Sequence, residues 1–130
     1  SLVGSVMCIR DSDRKNRKYR RLESNAKSML DGLAVWVREV RRPVDEQSPT
    51  IISHELDRAK RLSKFFNNLT KDAVFNEGMN LAQLYLFATL DYERMLPDFQ
   101  WRNQNKKLRD WFDKFSEHKS VISSLAPQTE

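Results

Sequence analysis

The chain has 130 residues, a formal net charge of +5 and a single cysteine, Cys8. That length sets one domain with room for a real core, and one cysteine excludes a disulfide scaffold or a thiolate metal site. The longest apolar stretch, residues 81–90 interrupted by Gln83, is about half a membrane span, so the composition predicts a soluble domain compatible with a reducing cytoplasm.

The opening SLVGSVMCIRDS lacks the basic start and the continuous apolar run of a signal peptide. It resembles a translated frame of a transposase sequencing adaptor, with Leu2-Val3-Gly4-Ser5 and Met7-Cys8-Ile9-Arg10-Asp11 carrying the match. Residues 1–12 are therefore expected to be a non-native segment and residues 13–130 the domain. With Cys8 set aside, no cysteine nucleophile remains.

Gly and Pro are scarce, and the stretches between them are rich in Leu, Arg, Lys and Glu, which favours helices over strands. The first helix is expected from about Arg14 to Arg41. Leu22, Ala26, Leu30, Leu33, Val37 and Val40 form its core face, with Met29 and Trp36 on the edge. Pro43 ends it, because proline disfavours helical geometry in the residue before it. Ser48 then caps a second helix with Pro49 at its first position, and Ile51, Ile52, Leu56, Ala59, Leu62, Phe66 and Leu69 share one face. Two long helices with a short connection predict an antiparallel hairpin.

Asn80 and Gln83 have the spacing of a capping box, and Met79 and Leu84 stand at the positions of a hydrophobic staple. The helix that follows is apolar all round and is expected at the centre of the domain. Pro97 breaks it, and Phe99 and Trp101 continue into an aromatic loop. A fourth helix runs from Asn103 or Asn105 to His118 with Leu108, Trp111, Phe112 and Phe115 on one face, and Ser120 caps a last short turn. The predicted fold is all-α, a helical bundle around a central buried helix.

Catalytic patterns are sparse. His54 and His118 lie on different helices with no partner at metal-ligand spacing, no Gly-rich phosphate loop is present, and Asp and Glu are dispersed among Lys and Arg. No catalytic residue and no metal site is predicted. The basic run RKNRKYRR, residues 14–21, spreads its charge round the helix and has no base-reading module beside it, so nucleic acid is not the expected partner.

The stretch NLAQLYLFATLDYERMLPDFQWRNQNKKLRDWFDKFSEHKSVISSLAP resembles the C-terminal domain of bacterial glutathione S-transferases: a capped buried helix, an aromatic loop of the form P-D-F-x-W, a helix with W-F…F and a closing turn. LDGLAVWVREVRRPVDEQSPTII is similar to the helix hairpin that precedes it there, and the likeness covers nearly all of residues 14–127. The family's usual capping box is Ser/Thr-x-x-Asp, where this chain has Asn80 and Gln83. The resemblance implies a parent enzyme whose missing thioredoxin-like domain binds glutathione and activates its thiol for attack on a small electrophile. This helical domain then supplies part of the electrophile pocket and of a homodimer interface. Met29, Gly32, Trp36 and Glu39 are the implied pocket residues, and Val35 is a candidate for the interface with the missing domain or partner subunit. A different class is also open: similar helical domains serve as non-catalytic docking modules in translation-factor and tRNA-synthetase assemblies, for which a net charge of +5 is suited.

Overall fold

A computed structural model describes residues 2–118 and, within them, the side chains of residues 15–118. Among the described residues four α-helices follow one another: α1 (Leu2–Val40), α2 (Pro49–Asn67), α3 (Leu81–Leu90) and α4 (Lys106–Phe115), with short 3-10 turns at Val44–Glu46 and Asp91–Arg94. Among the described residues there is no strand. No described helix is long and apolar enough to cross a membrane.

Helix α1 begins well before the expected Arg14 and runs unbroken through the segment read as adaptor. Its innermost face is also rotated from the expected one. Leu22, Ala26, Met29, Leu33, Trp36 and Val37 are buried, whereas Leu30 and Val40 are only half-buried. Met29 and Trp36, placed at the edge by sequence, are among the most deeply buried side chains. On that stripe Trp36 packs edge-on against Phe99 from the loop beyond α3.

The turn after α1 is held by side chains that satisfy open backbone groups. The Gln47 amide donates to the carbonyl of Val40 (3.1 Å), an acceptor the helix C-terminus leaves without a partner, and to that of Arg42 in the turn (2.9 Å). Ser48 caps α2 by accepting from the Ile51 N–H, with Pro49 at the first helical position. Glu39, itself buried, reaches across the turn and accepts from the Ser48 N–H at 2.6 Å. Along α2, Ala59 and Phe66 point inward, Ile52, Leu56, Leu62 and Leu69 pack beside them, and Ile51 lies outside, 39% exposed.

Between α2 and α3, Phe75 is fully buried although it lies in a loop, against Phe66 (6.2 Å between ring centroids) and Trp111 (5.5 Å). Helix α3 starts with a reciprocal box: Asn80 Oδ1 accepts from the Gln83 N–H at 3.0 Å, and Gln83 Oε1 accepts from the Asn80 N–H at 3.4 Å. Both side-chain amides also donate to the Phe75 carbonyl, at 3.0 and 2.9 Å, so the box ties the helix start to the buried loop. Of the staple pair, Leu84 packs against the core, but Met79 keeps half its surface in water. Ala82, Gln83, Leu86, Phe87, Thr89 and Leu90 are buried, with Leu81 the exposed exception.

Beyond α3 the chain turns under itself. Leu96, Phe99 and Trp101 are buried, and the Trp101 indole N–H donates to the Leu90 carbonyl at 2.9 Å. The Arg102 guanidinium lies over the Trp101 and Phe112 rings and bonds both Glu93 and Asp113. Helix α4 is shorter than expected, ending at Phe115, and its Leu108 N–H is held by Asn67 Oδ1 from the end of α2 at 2.9 Å. Leu108, Phe112 and Phe115 face inward, whereas Trp111 is only half-buried. The turn expected at Ser120 lies outside the described residues.

Candidate functional site

The four implied pocket residues fall on one side of α1, where α2 and the core meet it. Met29 and Trp36 are each 1% exposed, and Trp36 meets Phe99 edge-on at 5.9 Å. Glu39 is held by the Ser48 N–H and by Arg42, in the α1–α2 turn. Gly32 is buried beside Glu55 and Arg58. A Cβ there would stand 2.7 Å from Glu55 Oε1 and 3.2 Å from Arg58 Nη1, so the glycine permits α2 to approach. Arg58 joins the crossing further by donating to Ser28 and pairing with Glu55. All four take part in the packing of the bundle, and neither of the two cavities below is lined by them. Half-buried Val35, with Leu30 and Ala34, belongs to the part of α1 that the bundle does not fully cover.

One cavity, of about 690 Å³, lies between α2 and the 98–105 loop and is lined largely by side-chain amides. Gln104 there has a positive φ of 67°, and Ser63 Oγ is buried with no hydrogen-bond partner among the described residues. The other, of about 850 Å³, lies between α4 and the loop joining α2 to α3. Its wall carries Lys106, Lys107 and Lys114 around Trp111 on α4, joined by Lys71 from the loop, which only folding brings beside them.

Among the described residues, titratable groups show no catalytic pairing. Burial, reinforced by the neighbouring Glu23 carboxylate, raises the Tyr19 phenol above its ordinary value, so it stays protonated at neutral pH. The Lys18 ammonium, bonded at 2.6 Å, holds the Asp72 carboxyl below the usual range. His54 is exposed on α2, and His118 meets Phe115 edge-on at 5.5 Å. Among the described residues, no group of three or more His, Cys, Asp or Glu side chains is placed to hold a metal ion.

Comparison with protein-family models and with curated proteins finds no match for this chain.

Proposed function

We propose that the chain is the C-terminal helical domain of a glutathione S-transferase, contributing an electrophile-binding surface and dimer contacts to an enzyme whose thioredoxin-like domain binds and activates glutathione. The observation that carries the reading is the order of three parts. A helix headed by a reciprocal capping box and buried on nearly all sides is followed by an aromatic loop hydrogen-bonded to its last residue, and then by a helix with a strongly one-sided aromatic face. Those parts bear the sequence resemblance, and each has a physical reason for its residue types. Within this reading, the half-buried apolar residues Leu30, Ala34 and Val35 offer surface to the other domain or subunit, while Met29, Gly32, Trp36 and Glu39 fix α1 from beneath.

In such an enzyme the glutathione thiolate attacks the electrophile, and a donor near the sulfur stabilises that thiolate. No residue here is assigned that task. The chain alone is accordingly expected neither to bind glutathione at micromolar concentration nor to conjugate it. Calorimetry with glutathione and an aryl-halide conjugation assay test this, together with the source DNA read upstream of residue 13. An upstream thioredoxin-like segment supports the transferase. Turnover by the chain alone, or an upstream synthetase or elongation-factor segment, overturns it, the latter in favour of the docking module.

A further inference from the structure

The geometry points to a second site, unrelated to glutathione: we propose that the cavity between α4 and the α2–α3 loop binds a nucleoside polyphosphate. Four ammonium groups surround it, from Lys71 on the loop and from Lys106, Lys107 and Lys114 on α4. Residues 107 and 114 are two helical turns apart and share a face, and Lys106 lies beside them at the helix start. None of the four is in an ion pair among the described residues. Among the described residues the one carboxylate on the wall is Asp110, whose paired cation is Arg109, at 3.8 Å. Among the described residues the wall therefore carries a net positive charge, four lysines against one aspartate.

Lysine is a compact, mobile point charge suited to phosphate oxygens, and four such charges around one concavity fit a chain of phosphates. Phosphates alone leave the rest of the wall unexplained. Trp111 lies between Lys107 and Lys114, stacked on Phe115 (4.9 Å, 21° between planes), and remains half-buried, so part of the indole borders the cavity. A planar base against this aromatic wall, with its phosphates among the lysines, matches both features, and base–aromatic contact is tolerant of base identity. The volume, about 850 Å³, lies within the usual range for small-molecule sites.

Trp111 also supplies the test. Trp36 and Trp101 are 1% and 3% exposed, so a quencher arriving at this cavity acts chiefly on Trp111. Titration of the full chain with ATP at physiological salt is expected to change indole emission saturably. Inorganic triphosphate should bind several-fold more weakly and adenosine not measurably. The double variant Lys107→Gln/Lys114→Gln, altering only exposed positions, should weaken ATP binding by about tenfold, the scale of losing charge-assisted contacts. A control, Arg17→Gln/Arg21→Gln, removes the same charge from α1 and should leave it unchanged. Trp111→Phe should abolish the optical signal while calorimetry still detects binding. Equal weakening by the lysine and arginine pairs would reduce the effect to general charge attraction. Equal affinity for triphosphate and ATP, preference for an oligonucleotide over ATP, or no saturable binding would each overturn the proposal.

Discussion

Replacing Asn80 dissects how the central helix is anchored. Asn80→Ala removes the acceptor for the Gln83 N–H and the donor to the Phe75 carbonyl, both at 3.0 Å. Loss of an N-cap costs about 0.5–2 kcal/mol, and a further half-buried amide–carbonyl bond contributes about 0.5–1 kcal/mol. Together they give about 1–3 kcal/mol. Asn80→Ser restores the acceptor but not the donor, and should cost about 0.5–1 kcal/mol. In either variant the Phe75 carbonyl keeps the Gln83 amide at 2.9 Å. Gln83→Ala is the mirror case, since Asn80 then remains. Only the double variant Asn80→Ala/Gln83→Ala removes both side-chain donors from that carbonyl, so it should exceed the sum of the singles by about 1 kcal/mol. Urea denaturation at constant slope measures each value. Equal stability of the Ala and Ser variants, or additivity within about 0.5 kcal/mol, would refute the shared-carbonyl account.

Trp101→Phe should destabilise by about 2–3 kcal/mol, combining lost core volume with loss of the indole donor to Leu90; thermal unfolding checks it, and a change under about 0.5 kcal/mol would contradict it. Lys18→Ala should cost no more than about 1 kcal/mol, because the Lys18 side chain is 49% exposed. The Asp72 carboxyl lies below its unfolded value, so its contribution is complete above about pH 4 and disappears as falling pH protonates it in the folded state. The gap between parent and variant should therefore close in acid, which denaturation across pH measures. Deleting residues 1–12 should change stability by less than about 0.5 kcal/mol. A loss above about 1 kcal/mol in thermal unfolding would instead make the segment part of the fold.

What could be read in the sequence was local hydrogen-bond chemistry. The Ser48-Pro49 start, the Asn80–Gln83 box and the stop before Pro43 each depend on residues within a few positions, and the structure has all three. The faces were harder. On α1, two helical stripes overlap, one through Leu30 and Val40 and one through Met29 and Trp36, and periodicity alone cannot choose between them. The fold does: Met29 and Trp36 are buried, Leu30 and Val40 half-buried. Phe75 escaped notice because a loop aromatic has no periodic neighbours to mark it as core. No spacing rule marks the contact of the Glu39 carboxylate with a backbone amide nine residues on. The lysine-lined cavity joins residue 71 to residues 106–114, a meeting that only the folded chain reveals.

The third helix packs chiefly against the first, and this bears on how the chain reaches its fold. The α1–α2 hairpin closes a short turn, and once it has formed, bringing α3 onto α1 closes only the stretch 68–80, an entropic cost incurred before the new contacts compensate. Helix α3 has 10 residues, fewer than an isolated helix needs to persist in water. It therefore becomes helical as it docks, when Phe75 and the aromatic loop close around it. Its amides should exchange with solvent only in global opening, as one cooperative unit with the inner half of α1.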